Sequence, residues 1–190
     1  MNLQPLPKIS THRLVLKLLE PSEASIMVRF RIENRDHLRQ WEPSRSPEFF
    51  TNAFWQMQLR AAIREYRSGM NMCLVILNTS ESEVLGVCNY TNIIRGTFQS
   101  CHLGYALAEC HQGKGIMFES LQLSTRYVFK ELQLHRIMAN YMPRNHRSGK
   151  LLCRLGFETE GRARSFLNIN GVWEDHILTS LINPDCISGF

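Results

Sequence analysis

A loop with two glycines stands between an apolar strand pattern and an amphipathic helix pattern. Residues 103–108 form the apolar run, and apolar residues recur at helical spacing over residues 117–134. Glycines ahead of a helix N-terminus leave backbone N–H groups unpaired, and the helix dipole adds positive potential there. Such a loop is typical of a binding site for a phosphate or pyrophosphate group. Its residues are Gln112, Gly113, Lys114, Gly115, Ile116 and Met117.

Two common nucleotide-binding loops do not fit this spacing. A P-loop has Ser or Thr directly after its Gly-Lys pair, whereas Gly115 follows Lys114 here. A dinucleotide-binding fingerprint needs a third glycine, at a position that Phe118 occupies. The loop alone leaves two interpretations open, a phosphate site and an ordinary strand-to-helix turn.

A second segment favours the phosphate site. Asn145 suits the N-cap of a short helix over residues 148–155, and Gly156 suits the position after its last turn. A Gln-x-x-Gly loop followed by Asn-x-x-Ser and Leu-Gly-Phe resembles the pattern of the GNAT superfamily of N-acetyltransferases. The members of the second pattern are Asn145, Ser148, Leu155, Gly156 and Phe157.

Further runs narrow the resemblance to the RimJ/RimL group of that superfamily. They are residues 10–14 (Ser-Thr-His-Arg-Leu) and residues 171–176 (Gly-Val-Trp-Glu-Asp-His). Residues 135–143, together with Trp41-Glu42-Pro43, are most similar to the ribosomal-protein N-terminal alanine acetyltransferases within it. The resemblance covers residues 9–184.

The resemblance implies both a fold and a cofactor. The implied fold is α/β (α+β), with a mixed central sheet whose two parallel strands splay apart and with helices on both faces. Acetyl-CoA is the implied co-substrate, its pantetheine arm along residues 105–108 and its pyrophosphate over residues 112–117. A backbone N–H near Leu107 would polarise the thioester carbonyl, and Asn145 would belong to the cofactor site. Met117 replaces the small residue usual at its position, where a backbone amide serves equally.

Ser148 is the candidate hydrogen-bond donor to the coenzyme A sulfur. Many relatives place a tyrosine seven residues after the asparagine, where this chain has Leu152. The RimJ/RimL group instead has a hydroxyl at the fourth position of the motif, which is Ser148 here. The alternative is that the Ser148 side chain only caps the helix.

The sequence identifies a general base less clearly than it identifies Ser148 as the hydrogen-bond donor. Trp41 and Glu42 are the candidate residues for binding the acceptor peptide, and Glu42 is also the first candidate for accepting the final proton or orienting the acceptor ammonium. The alternative is that Trp41 packs in the core and Glu42 is merely exposed. Some relatives use an acid at the position of Ser165, so that base is missing here. The remaining alternatives are Glu119, Glu174 and Asp175.

The leading function is acetyl-CoA-dependent acetylation of the N-terminal alanine of a small-subunit ribosomal protein, by direct attack of the amine on the thioester. An α-amine has a pKa of about 7.7–8.0, against about 10.4 for lysine, so it loses its proton with little help. Two rivals stay open, an acetyltransferase of a small-molecule amine and a non-catalytic ribosome- or RNA-binding module.

Composition predicts a single domain over residues 1–190, with its core at about residues 9–184. Apolar residues make up 44% and charged residues 21%, both ordinary for a globular chain. No apolar run reaches the ~20 residues that span a membrane, and residues 1–5 carry no signal-peptide core, which predicts a cytoplasmic protein. The cysteines, without any Cys-x-x-Cys pair, are expected to be buried thiols, and no metal-ligand spacing occurs.

The net charge is +5, and basic residues cluster twice. The first cluster, Arg29, Arg31, Arg35 and Arg39, is interpreted as a solvated helix face. The second, Arg144, Arg147, Lys150 and Arg154, lies by the loop, where it would meet the 3′-phosphate of coenzyme A or ribosomal RNA. The expected partner is a ribosomal protein N-terminus, on the ribosome or an assembly intermediate. A monomer and a homodimer are both open.

The predicted element order is β-α-α-β-β-β-α-β-α-β-β. Strands are predicted at residues 13–19, Met72–Leu77, Val84–Ile94, 103–108 and 136–141, and helices at residues 21–33, 51–67, 117–134 and 148–155. Two last strands flank Asn170-Gly171, a strong hairpin signal. The strand, helix and strand over residues 103–141 predict a right-handed parallel crossover.

Overall fold

The computed structural model describes residues 5–186. Its strands are β1 (Lys8–Ser10), β2 (Val15–Lys17), β3 (Met72–Leu77), β4 (Val84–Ile94), β5 (Ser100–Leu107), β6 (Arg136–Met138), β7 (Glu158–Ile169) and β8 (Val172–Ile182). Its α-helices are α1 (Ala24–Glu33), α2 (Arg35–Arg39), α3 (Asn52–Arg67), α4 (Ile116–Glu131) and α5 (His146–Arg154). Across this range, none of the helices has the length and apolar character to cross a bilayer. Residues 1–4, on which the expectation about a signal peptide partly rests, lie outside the described residues.

The strands form one mixed sheet in the order β1-β2-β3-β4-β5-β6-β8-β7. Among the strands of residues 5–186, β5 and β6 are the only parallel neighbours, and α4 connects them as a crossover. Their pairing covers three residue pairs, from Ser100 with Arg136 to His102 with Met138. β5 then continues to Leu107, paired with β4 alone. The two parallel strands therefore separate toward the two-glycine loop, and the splayed arrangement is confirmed.

Helices cover both faces of the sheet, as expected. Leu121 of α4 belongs to one hydrophobic cluster with Cys88 of β4. Phe30 of α1 belongs to the other with Val87 of β4. Because successive strand residues point to opposite faces, adjacent Val87 and Cys88 assign α1 and α4 to opposite sides.

The predicted boundaries fail mainly where a strand loses its partner. Of the predicted strand over residues 13–19, only Val15–Lys17 pairs with β3. The strand predicted over residues 136–141 ends at Met138, because the chain parts from β5 there and Tyr141 pairs only with Ile177 of β8. The five-residue helix α2 was not predicted, since it is too short to show a helical period. The hairpin at Asn170-Gly171 is confirmed, with φ of 48° and 87°.

The expectation of buried thiols is correct for part of the cysteines. Cys88 and Cys101 are buried, and burial raises the pKa of Cys101 to about 12. Cys110 and Cys153 are exposed, contrary to the expectation. Cys110 lies on the short turn after β5, and Cys153 lies on α5, of which only Leu152 is buried.

Candidate active site

The two-glycine loop adopts a backbone conformation that favours glycine. Gly113 and Gly115 have φ of 74° and 73°, in the left-handed region. Gly115 is the N-cap of α4, and no side chain in the described part of the protein caps that helix end. The first backbone N–H groups of α4 therefore lie unpaired beside an exposed loop, which is the arrangement an anion requires.

Met117 leaves the space above the loop open. Its side chain is buried in the cluster beneath α4, with its sulfur 3.9 Å from Sγ of Cys88. Ile116 is buried as well. Only backbone groups of these two residues are available to a ligand, so the departure at Met117 costs the loop no room.

Thr11 and Arg13, near the start of the chain, form hydrogen bonds that stabilise the two-glycine loop. Arg13 donates from Nη1 to the Lys114 carbonyl at 3.2 Å and from Nε to the Glu119 carboxylate at 2.6 Å. Thr11 donates to the other Glu119 oxygen at 2.8 Å. Burial raises the pKa of Glu119, but the hydrogen bonds from Thr11 and Arg13 lower it below its ordinary value overall. Glu119 thus holds the loop as an ionised partner, which suits a general base poorly.

One backbone N–H points into the opening between β5 and β6. The Ala108 N–H donates to the Leu85 carbonyl on the β4 side, at 2.8 Å. Because N–H groups alternate along a strand, the Leu107 N–H points to the other edge, where β6 has already ended. Leu107 therefore offers a donor where the resemblance expects one.

The hydroxyl of Ser148 is not the cap of α5. The cap is Asn145, whose Oδ1 accepts from the Ser148 backbone N–H at 3.1 Å. The Ser148 hydroxyl instead contacts the Tyr105 hydroxyl, with 2.6 Å between the oxygens. Tyr105 stands two residues before Leu107, so this contact ties α5 to the strand edge with the free donor. Leu152, at the tyrosine position of many relatives, is buried in the core.

The sequence placed Tyr105 along the expected pantetheine arm, but it did not reveal the contact of its hydroxyl with Ser148. It lies within an apolar strand pattern, where an aromatic residue is ordinarily part of the core. Burial raises the pKa of Tyr105, so the phenol keeps its proton at neutral pH. Only the register of the separated strands shows that its hydroxyl reaches Ser148.

Gln112 links three elements around the loop. Its Nε2 lies 2.9 Å from Nε2 of His37 on α2, and its Oε1 accepts from Arg147 on α5. Asn34 adds a second link, since its Oδ1 accepts from the Glu109 backbone N–H at 2.9 Å. The loop, the basic cluster on α5 and the α1–α2 corner therefore form one continuous surface. His37 carries no motif that would have predicted this contact.

Trp41 lies beside this surface, and it is half-buried. Its ring centroid is 5.0 Å from the guanidinium of Arg144, the residue before Asn145. Arg144 also donates to the Glu174 carboxylate at 2.9 Å and to the Gln40 carbonyl at 3.1 Å. Segment 40–42 is thereby held next to the start of α5.

Glu42 is paired with two arginines. Arg31 donates to one carboxylate oxygen at 2.9 Å and Arg45 to the other at 3.3 Å. The Arg31 side chain is only 7% exposed, so the interpretation of the first cluster as a solvated face is wrong for this residue. The catalytic role of Glu42 stays a prediction.

The other acids that the sequence offered as bases are also paired. Glu174 is bound to Arg144, as described above. Asp175 accepts from the Ser165 backbone N–H at 2.9 Å and from Arg162 at 2.7 Å, and these two contacts lower its pKa. Accepting a proton would break an ion pair in each case.

Comparisons with known proteins agree with this geometry. Residues 13–158 match the family model described as acetyltransferase (GNAT) domain. The chain is 42% identical over 185 residues to the ribosomal protein uS5-alanine N-acetyltransferase of Escherichia coli (strain K12), covering 97% of this chain and 95% of that protein. The crystal structure of the ribosomal-protein-S5-alanine acetyltransferase from Vibrio fischeri is 40% identical with a TM-score of 0.90, covering 94% of this chain and 98% of that one. Mycobacterium smegmatis RimJ in complex with CoA-disulfide is 26% identical with a TM-score of 0.85, covering 95% and 88%.

Proposed function

The chain belongs to the GNAT acetyltransferase family, and we propose that it acetylates the N-terminal alanine of a small-subunit ribosomal protein, using acetyl-CoA. The acceptor is inferred from the Escherichia coli and Vibrio fischeri relatives, whose names specify alanine on ribosomal protein S5. The observation that carries the chemistry is the opening between β5 and β6, which has a free backbone donor at Leu107 and the Tyr105–Ser148 pair beside it.

The residues around the loop fit coenzyme A. The uncapped start of α4 and the two left-handed glycines give a pyrophosphate direct access to backbone N–H groups. Gln112, Lys114 and Arg147 would hold the phosphates, and Asn145 keeps the start of α5 in register. Acetyl-CoA supplies an acetyl group activated as a thioester.

Leu107 would stabilise the charge that develops on the carbonyl oxygen. Its N–H is fixed by the β4–β5 ladder, so no reorganisation is needed when the amine attacks. A donor of this kind contributes on the order of 10²-fold or more to acyl transfer.

Ser148 would donate a hydrogen bond from Oγ to the departing sulfur. Tyr105 keeps its own proton, so its hydroxyl can donate to Ser148 Oγ and leave the Ser148 hydrogen directed at the sulfur. This pair takes the place of the tyrosine that many relatives carry at the position of Leu152.

The acceptor amine needs little activation. At neutral pH about one α-amine in ten is already unprotonated, against about one lysine in a thousand. Each oxygen of Glu42 keeps a lone pair beside its arginine contact, and we assign it the orientation of the incoming ammonium. Water takes the final proton in this scheme.

We further propose that residues 1–190 form one domain. The domain would act in the cytoplasm, where ribosomal proteins are made and assembled. Whether it works as a monomer or a homodimer follows from sedimentation of the purified chain. Contact with ribosomal RNA through Lys150 and Arg154 is a separate proposal that heparin competition tests.

Mass spectrometry of protein N-termini tests the function. Ribosomal proteins from cells with and without the gene are digested, and their N-terminal peptides are compared. The proposal predicts one small-subunit protein whose terminal alanine loses acetylation completely. Unchanged acetylation of all ribosomal N-termini, with activity on small amines in vitro, would instead favour a small-molecule acetyltransferase.

A further inference from the structure

A cavity of about 220 Å³ lies between the α1–α2 corner, the segment that follows it and the tip of the β7–β8 hairpin. It is not part of the cofactor loop or of the opening between β5 and β6. We call it the arginine cavity, after its main lining residues, which are Arg31, Arg35, Arg39, Glu42, Arg45 and Phe49.

The charge of the arginine cavity is unbalanced. Four arginines face one glutamate, a net charge of +3. Glu42 is already shared by Arg31 and Arg45. Within the described residues, Arg35 and Arg39 have no carboxylate partner: Arg35 lies 4.9 Å from the Phe50 ring centroid, and Arg39 makes a long 3.5 Å contact to Asn170. Two guanidinium groups are therefore available to an anion.

At the buried end of the cavity, one hydrogen-bond donor of Arg31 also lacks a partner. Arg31 is enclosed by aromatic rings, 5.5 Å from the Phe49 centroid and 5.3 Å from that of Trp55. Its Nε is buried and meets no hydrogen-bond acceptor in the described part of the chain. Arg31 therefore keeps a positive charge at the buried end of the cavity, with Glu42 as its carboxylate partner.

The shape of the cavity suits a single side chain. Phe49 and Phe50 give the lining apolar surface that an aliphatic stem can contact, and the guanidinium groups of Arg45 and Arg35 lie 4.6 and 4.9 Å from their ring centroids. Ser44 donates to Asn170 at 3.3 Å, which holds the hairpin tip against the opposite wall. A continuous phosphate backbone needs an open surface, whereas this space is partly enclosed and already contains a carboxylate.

The cavity is close to the proposed acceptor path. Trp41 packs on Arg144 at the start of α5, and its neighbour Glu42 faces the arginine cavity. Glu42 both lines the cavity and is the residue proposed to orient the acceptor ammonium. A peptide held there would place its next residues, each spanning about 3.3 Å, beside the cavity.

We propose that the arginine cavity binds the carboxylate of an Asp or Glu side chain that lies within the first few residues of the acceptor protein. This specificity rests on the proposed function and refines it. Arg35 and Arg39 form the charge-assisted hydrogen bonds, and Arg31 supplies positive potential from the interior.

The test uses short peptides that begin with alanine. In one series a single Glu occupies the second, third, fourth or fifth position, and in a matched series Gln replaces it. For wild-type enzyme we expect one Glu peptide to exceed its Gln counterpart by about tenfold in kcat/KM, chiefly through KM. Arg35→Gln combined with Arg39→Gln should reduce that ratio to about one.

A matched control separates this effect from loss of overall charge. Arg29→Gln removes a positive charge from an exposed position of α1 that does not line the cavity, and it should keep the wild-type ratio. If Glu and Gln peptides reacted at equal rates at every position, with alanine still acetylated, the proposed role of the cavity would be wrong. The proposed function would be unaffected. An RNA oligonucleotide that protects Arg35 and Arg39 while the Glu peptides do not compete would also contradict the proposed role of the cavity. Failure to acetylate any of the peptides would instead count against the proposed function.

Discussion

The cofactor side and the acceptor side of this molecule are built in different ways. On the proposed cofactor side, backbone groups are what the site offers to a ligand: the start of α4, the left-handed glycines and the Leu107 N–H. On the acceptor side, side-chain charges dominate, with Glu42 set among four arginines. The difference teaches that a backbone site leaves a motif in the sequence, whereas a side-chain site assembled from several elements does not.

The largest effect is expected at Ser148. Ser148→Ala should lower kcat by about 10²-fold with little change in the KM for acetyl-CoA, because the proposed mechanism has the hydroxyl donate to the leaving sulfur. The helix should form normally, since Asn145 provides its cap. Steady-state kinetics with thiol detection measures both constants. A folded Ser148→Ala enzyme with wild-type kcat would remove Ser148 from the chemistry, while Ser148→Thr, which keeps a hydroxyl, should retain more activity.

A second prediction tests whether the cofactor side depends on its backbone. Gly115→Ala should weaken acetyl-CoA binding by more than about tenfold, because a Cβ enters the loop where phosphate meets backbone. Gly96→Ala is the matched control: its φ of 75° resembles the 73° of Gly115, it has open space around it, and it lies at the far end of β5. Both variants should lose similar stability in a thermal melt, but only Gly115→Ala should lose affinity by calorimetry. Equal affinities would show that the loop's glycines serve folding alone.

Tyr105 should have a smaller effect than Ser148. Tyr105→Phe removes the hydroxyl that orients Ser148, and kcat should fall by about three- to tenfold with acetyl-CoA affinity retained. Because burial raises the pKa of Tyr105, the phenol stays protonated from pH 6 to 9, so the variant should keep the shape of the wild-type pH profile. A profile that loses a titration in Tyr105→Phe would mean that the phenol ionises during turnover.

The smallest effect is expected from substitution of Glu42, and it should appear in the KM for the acceptor peptide. Because Glu42→Gln removes the carboxylate partner of the buried Arg31, a thermal melt must first show that the variant is folded. In the folded variant the KM for an alanine-terminated peptide should rise about three- to fivefold, while the KM for acetyl-CoA stays constant. This outcome would sharpen the contrast between the two sides. A fall of two orders of magnitude in kcat would make Glu42 the general base and reverse the assignment.

The parts of the fold and site that the sequence predicted share one property. The two-glycine loop, the capping Asn145 and the Asn170-Gly171 hairpin each depend on a few adjacent residues, so local spacing was sufficient. The contact between Tyr105 and Ser148 could not be predicted, because it depends on where two strands separate. The arginine cavity could not be predicted either, since Arg31 is buried by rings that belong to α3 and the segment before it.

The central claim is that an N-terminal α-amine is the acceptor, and it has a direct test. Two peptides of equal length are compared, one with a free N-terminal alanine and no lysine, the other with a blocked terminus and one internal lysine. Initial rates are followed from pH 6 to 9 with acetyl-CoA. The free terminus should react about 10²-fold faster at neutral pH, and its rate should rise with pH and level off above about 8 as the amine loses its proton. Equal rates on the two peptides would contradict the assignment of this enzyme to protein N-termini.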